Sequence, residues 1–293
     1  MEYGETISKI QTEKNIPVKD LCHDFMSKST YSRFVNGESD TTTTVFFHLL
    51  EQLHISSKEF FFIKNDYSLD NQESYLLEIS SSSSNRDTST LYRLKKECDL
   101  QSKRKNDTFH HLSAICFLHI CRIKNKKYDV VCQNDIKNYL LGVASWSRYE
   151  IVLFNSVMFI FDLDFIEKIL PRLLRNVSKY KKIIDFTSDN FGILLNIYTL
   201  YLMQKKLDKA LYILKKIKSL DIPELFVRER LYLNFLKGIN QLLLYEDSSG
   251  FIKITDTLNT CNFLNLTSQK SMLVSFYNTI STVYKLPNLN NAF

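Results

Sequence analysis

Residues 188–219 read SDNFGILLNIYTLYLMQKKLDKALYILKKIKS. The stretch divides into an apolar helix over 188–204 and a second helix over 207–219. Outward from it the pairing recurs, as 145–161 with 163–179, as 223–245 with 250–262, and as a last helix over 267–285. Each pair spans about 40 residues, the period of helical solenoids built from stacked helix pairs. A marker recurs in the first helix of each pair: Phe154-Asn155, Leu195-Asn196, Leu233-Asn234 and Tyr277-Asn278, at intervals of 41, 38 and 44 residues. Each Asn follows a large apolar residue in an otherwise apolar helix.

Composition points the same way. The 293 residues include six Gly and four Pro, against average usage of about 7% and 5%. Sandwiches, barrels and doubly wound sheets need both residues at their many tight turns, so an all-α fold is predicted. No G-x-G-x-x-G, G-x-x-x-x-G-K-[ST] or G-x-S-x-G occurs, which removes the phosphate-cradling loops and the nucleophile elbow. Asp162 and Asp164 suit helix capping better than paired-carboxylate catalysis. The His110, His111, Cys116, His119 and Cys121 set lacks zinc-ligand spacing, and core Cys with polar His is the reading preferred. No enzyme, metal or cofactor is expected. The six Cys form no C-x-x-C pair, no apolar signal segment opens the chain, and the longest apolar stretch is 151–161. A spanning helix needs about 20 such residues. A reducing, cytoplasmic setting without membrane contact follows.

The charge is uneven. Residues 1–65 hold seven basic and nine acidic residues, −2, leaving 31 against 23, +8, in residues 66–293. A polar linker over 64–72 separates the two. In the first part, Ile7 and Ile10 mark helix one, and Pro17 suits the first turn of helix two. Val18, Leu21, Cys22 and Phe25 then share one face. Ser27 or Ser29 caps a third helix carrying Tyr31, Phe34 and Val35, which Asn36-Gly37 ends. Thr42–Leu53 and Ser57–Ile63 complete five helices. The Ser80–Ser84 run reads as a loop between helices. The basic stretches 95–105, 122–127, 172–182 and 205–218 read as solvated helix faces.

The segment Ser27-Lys28-Ser29-Thr30-Tyr31-Ser32-Arg33-Phe34-Val35-Asn36-Gly37-Glu38-Ser39 resembles the recognition helix and following turn of the Rgg/GadR/MutR family of transcriptional regulators. Ser27, Ser29, Ser32, Arg33, Phe34, Gly37, Glu38 and Ser39 match its pattern. Tyr139-Leu140-Leu141, Trp146, Tyr149 to Phe154, Lys209-Ala210 and Leu214 to Ile217 match further along. Two departures stand out. Val35-Asn36 replaces a Glu-Arg pair, and Lys9, Gln11 and Lys14 replace helix-one arginines. The resemblance implies an N-terminal helix-turn-helix over 1–65 and a tetratricopeptide-like repeat domain over 66–293. It further implies a cytoplasmic homodimer of a Gram-positive bacterium that binds double-stranded promoter DNA and short, often hydrophobic, imported signalling peptides.

In a helix-turn-helix the third helix enters the major groove. Lys28, Ser29, Thr30, Ser32, Arg33 and Asn36 are the expected DNA contacts, with the backbone around Val18 and Lys19 holding a phosphate. In the bland alternative the hydroxyls only cap, and Arg33 pairs with Glu38 or Asp40. The acidic head predicts modest intrinsic DNA affinity. A side-chain amide both donates and accepts, so Asn155, Asn196, Asn234 and Asn278 are expected to pair with a peptide main chain. Phe159, Tyr198 and Phe235 would form pockets, and the +8 charge would favour an acidic residue or free carboxylate. The competing reading has these amides satisfying buried carbonyls between repeats. At the level of function, the runner-up is a protein-interaction scaffold with a degenerate helix-turn-helix.

Overall fold

The computed structural model describes residues 2–69, 71–104, 107–245, 248–287 and 289. Among them there are helices and turns but no strand. The chain divides into two compact units, residues 1–126 and 127–293.

The first unit opens with α1 (Tyr3–Glu13), α2 (Val18–Cys22), α3 (Lys28–Val35), α4 (Thr43–Gln52) and α5 (Ser57–Lys64). Ile7, Leu21, Tyr31, Phe34, Leu49, Leu53, Phe60 and Ile63 close one core. Ser27, Thr42 and Ser56 cap α3, α4 and α5, each accepting a backbone N–H from three residues on, which satisfies an otherwise orphaned donor. Helix α2 is shorter than the apolar pattern predicts. It stops at His23, whose φ of 38° leaves the helical region. Phe25 is therefore outside the helix, half exposed, with its ring stacked on His48 at 3.4 Å.

Three more helices follow, α6 (Asn71–Ser84), α7 (Thr88–Gln101) and α8 (Thr108–Ile123), packed on one another. The Ser80–Ser84 run is the last turn of α6, not a loop. Ile79 and Ser82 are buried, and Ser83 Oγ lies 2.6 Å from His119 Nδ1 on α8. Small hydroxyl side chains let two helices approach while finding partners, which outweighs their weak helix propensity. Asp70 of the expected linker and Lys105 of the basic stretch lie outside the described residues. Burial pushes the Cys98 and Cys116 thiols up to about 12, so both pack as small apolar groups.

The second unit holds α9 (Val130–Gly142), α10 (Arg148–Val157), α11 (Leu163–Lys179), α12 (Thr187–Met203), α13 (Leu207–Lys218), α14 (Val227–Tyr245), α15 (Ser249–Phe263) and α16 (Thr267–Tyr284). The pairs α10/α11, α12/α13 and α14/α15 stand where the 40-residue spacing places them. The α9–α10 corner is locked by polar bonds. Tyr139 donates its hydroxyl to Glu150 at 2.8 Å, and buried Trp146 donates Nε1 to the Leu140 carbonyl at 3.1 Å. Arg172 donates to the carbonyls of Leu140, Leu141 and Val143 at 2.9, 3.1 and 2.7 Å. It thus caps the end of α9, an exception to the solvated face expected for 172–182. Helices α14 and α15 cross through glycine. A Cβ on Gly238 would lie 2.7 Å from the Gly250 carbonyl oxygen, and one on Gly250 2.6 Å from that of Gly238.

Candidate functional site

Two surfaces carry the residues that the sequence nominates, one on each unit. On the first unit it is the outer face of α3. Tyr31 and Phe34, three apart, turn inward and are 4% and 5% exposed. The other side of the helix then presents Lys28, Ser29, Thr30, Ser32, Arg33 and, at its C-cap, Asn36, all exposed. Ser27 is the cap, with Thr30 N–H donating to its Oγ at 3.1 Å, and that Oγ lies 2.8 Å from the hydroxyls of both Ser29 and Thr30. Three hydroxyls thus form one cluster at the start of the helix.

Among the described residues Arg33 makes no ion pair. The turn after α3 uses its carbonyl, which accepts Glu38 N–H at 2.8 Å, while Gly37 takes the positive φ of 73° that ends the helix. Its exposed guanidinium carries five donors. Gly4 sets the depth of this helix. A Cβ there would lie 2.1 Å from the Phe34 carbonyl oxygen, so α1 meets α3 backbone to backbone. In α2, Lys19 is exposed, whereas the Val18 side chain is half-buried against the core and offers only its backbone outward. Two of the family departures have structural work here. Gln11 donates to the Ile16 carbonyl, and Lys14 donates to the Leu53 carbonyl at 2.8 Å.

On the second unit the four asparagines part company. Asn196 Nδ2 on α12 donates to Asn155 Oδ1 on α10 at 2.8 Å, on the surface. This leaves Asn155 Nδ2 and Asn196 Oδ1 without another partner among the described residues: one donor beside one acceptor. Gly192, one turn before Asn196, adds no side chain next to Asn155; the nearest atom to a Cβ built there is Asn155 Nδ2 at 4.0 Å. Asn234 does something else. It donates to Thr257 Oγ1 on α15 at 3.1 Å and so ties the two helices of one pair together through a hydroxyl, not through a buried carbonyl between repeats. Asn278 is exposed, and its carbonyl accepts the hydroxyls of Ser281 and Thr282. The four do not make one ladder.

The expected pockets divide as well. Phe159 is half-buried with its ring 5.7 Å from Tyr128. Tyr198 and Phe235 are core residues, 1% and 0% exposed, and burial raises the Tyr198 phenol well above its ordinary range. They show no face to a ligand: Phe235 stands one residue, about 100°, and Tyr198 two residues, about 200°, round the helix from the Asn of its repeat.

One signal went unread in the sequence. Ties between consecutive pairs recur at a fixed offset: Arg148 to Asp189, Asn155 to Asn196 and Ser188 to Glu229 are each 41 apart, and Lys209 to Glu167 is 42 apart. Scanning for polar partners at the repeat period would have found them. The charge surplus is also placed differently from expectation. Helices α10 and α12, which carry the amide pair, hold Arg148 against Glu150 and Asp189. Residues 163–182 and 205–219, on α11 and α13 and just beyond, hold twelve basic residues against three acidic.

The fold is thus a head of five short helices with an exposed α3 face and, further along the chain, stacked helix pairs. Residues 94–274 match the family model described as HTH-type transcriptional regulator Rgg, C-terminal domain. That match spans more than half of the chain, and the protein belongs to the Rgg family of transcriptional regulators, not to an enzyme family. Solved structures share the whole fold. A protein from Listeria monocytogenes EGD-e described as a transcriptional regulator aligns with a TM-score of 0.87 at 19% identity, over 97% of this chain and 99% of that one. The SHP pheromone receptor Rgg2 of Streptococcus dysgalactiae aligns at 0.76 and 17%, over 94% and 99%. PrgX in its complex with cCF10 aligns at 0.70 and 19%, over 96% and 100%. No helix among the described residues is long and apolar enough to cross a membrane.

Proposed function

We propose that this protein is a cytoplasmic, peptide-responsive regulator of a Gram-positive bacterium, acting as a homodimer. Residues 1–65 read promoter DNA, and residues 66–293 hold a short signalling peptide and the second subunit. The observation that carries the proposal is the α3 face, where Lys28, Ser29, Thr30, Ser32, Arg33 and Asn36 stand exposed and Arg33 has no ion pair among the described residues. Arg33 is suited to a bidentate guanine contact or a phosphate, and the hydroxyl cluster to phosphate oxygens. Peptide control rests on the pheromone receptor and the PrgX complex, and on the Asn155–Asn196 pair.

The unused donor and acceptor of that pair match the C=O and N–H of an extended peptide, so they grip the main chain without reading side chains. The amide pair has no basic surplus near it, so selection by charge is weak at this surface. Peptide binding shifts the population of arrangements of the repeat domain and thereby of the two reading heads.

Titration of DNA upstream of the protein's own gene and its neighbours tests the reading. Arg33→Ala is expected to lose specific binding by about 10- to 100-fold and to lower the salt slope. Asn196→Ala is expected to keep DNA binding but lose the response to culture fluid containing the peptide. Absence of any specific shift for the wild type, with and without that fluid, would leave a scaffold with a helix-turn-helix that reads nothing.

A further inference from the structure

We infer that the groove between α11 and α13 is a docking site for a second partner, an acidic amphipathic helix of another protein, separate from the amide pair on α10 and α12. The groove encloses about 430 Å³. Its apolar walls are Leu170, Pro171 and Leu174 from α11 and Tyr212 from α13, over Tyr201 of α12 as the floor, and Glu167, Asp208 and Lys209 line its polar end. Tyr212 is 47% exposed, Pro171 is exposed, and Leu170 and Leu174 are half-buried. Apolar side chains arranged around a cleft of this size suit two or three anchoring side chains of a ligand.

The charge around the cleft selects the ligand. One end holds two carboxylates, Asp208 and Glu167, the latter engaged by Lys209 at 2.6 Å and Lys206 at 3.5 Å, so the end that attracts acidic groups is the opposite one. Arg175 follows one turn after Pro171 and Lys216 one turn after Tyr212, with Lys179 a turn further on and Lys215 and Lys218 on the same stretch of α13. Lys216 lies 5.2 Å from the Tyr212 ring centre, so the apolar wall and the basic end are continuous. Lys168, Arg175, Lys215 and Lys218 have no ion pair among the described residues. The whole unit of residues 127–293 holds 21 basic and 15 acidic residues, a surplus of six. The twelve against three on these two stretches exceed it, so the field is concentrated on this face and attracts acidic ligands.

An apolar cleft ending in unpaired cations fits a segment with apolar side chains on one stripe and carboxylates at one end. From Glu167 to Leu174 the wall rises about 10 Å, two helical turns. The occupant therefore offers apolar anchors at i, i+3 or i+4, and i+7, the helix-in-groove mode, with Asp or Glu lying over Arg175 and Lys216. A nucleic-acid backbone would satisfy the cations but has no apolar side chain for the cleft, so the walls favour a protein ligand.

The test uses the full chain and a fluorescein-labelled synthetic peptide of about 18 residues, long enough to form helix. It carries Leu on one stripe and Glu over its final turn, and binding is read by fluorescence anisotropy. Two control peptides replace the Glu residues by Lys or the Leu residues by Ser. The acidic Leu peptide is expected to bind at least about tenfold more tightly than either control. The double variants L174A/Y212A and R175E/K216E, with melting temperatures checked against wild type, are each expected to weaken it by at least about tenfold. Equal binding of the Glu and Lys peptides, no saturable binding of the Glu peptide, or indifference to L174A/Y212A would overturn the proposal. Competition by an unrelated DNA duplex, with no effect of L174A/Y212A, would also overturn it and make the face a nucleic-acid surface.

Discussion

Helices α12 and α13 belong to one pair, lie side by side and differ in almost everything they show to solvent. Helix α12 has a single charged residue, Asp189, and carries the outward Asn196. Helix α13 has four lysines against one aspartate and walls an apolar cleft. The same division holds for α10 and α11. A net charge computed over a repeat domain therefore says little about any one surface of it. Across these two pairs one helix layer is nearly neutral and amide-bearing and the other cationic, whereas in the third pair α14 holds three basic residues against one acidic and α15 one against one.

That separation can be broken or sharpened by substitution. The largest effect is expected where the two layers touch without side chains. Gly238→Val pushes a branched side chain into the Gly250 carbonyl and should destabilise the second unit by about 3 kcal/mol or more, seen as a lower urea midpoint. Gly142→Ala, with open space around it, should be neutral or stabilising by up to about 1 kcal/mol. Within the cationic layer, Arg172 and Arg175 sit less than one turn apart. Arg172→Ala removes three carbonyl contacts and should cost about 2 kcal/mol, whereas Arg175→Ala should change thermal stability by less than about 0.5 kcal/mol.

Among the repeat asparagines, Asn234→Ala breaks the bond to Thr257 and should cost about 1 kcal/mol. Asn196→Ala should barely move the melting temperature while impairing peptide response. Equal stability losses for the two would make both structural.

The smallest effect concerns acid. Burial pushes the Glu150 carboxyl up, but bonds from the Ser147 backbone and hydroxyl and from Tyr139 outweigh it and hold the group below its ordinary 4.5. A carboxyl depressed in the folded state adds stability above its unfolded value, and that stability is lost as pH falls through the folded one. Melting temperatures between pH 6 and 3 should therefore fall more steeply for wild type than for Glu150→Gln.

The helix pairs were legible because a 40-residue period survives in Asn155, Asn196, Asn234 and Asn278 even where their roles do not. The reading face of α3 was legible from Tyr31 and Phe34, which fix by spacing what must point out. Burial of Tyr198 and Phe235 was missed, although positions one and two residues from an Asn point about 100° and 200° away from it on a helix. Nor was the Ser80–Ser84 helix, since serine runs lack periodicity and only α8 decides their conformation. The sorting of cations onto α11 and α13 was present in the sequence but was averaged away by summing over the domain.

The ties at 41 and 42 residues have one more consequence. Arg148 to Asp189 and Asn155 to Asn196 join the same two helices at two heights. Adding or removing a single residue inside the stretch from 156 to 187 would turn α12 by about 100° unless a loop absorbed it, parting both contacts together. This stretch should accept exchanges of residue type far more readily than changes of length. Related chains are then expected to vary in length outside it.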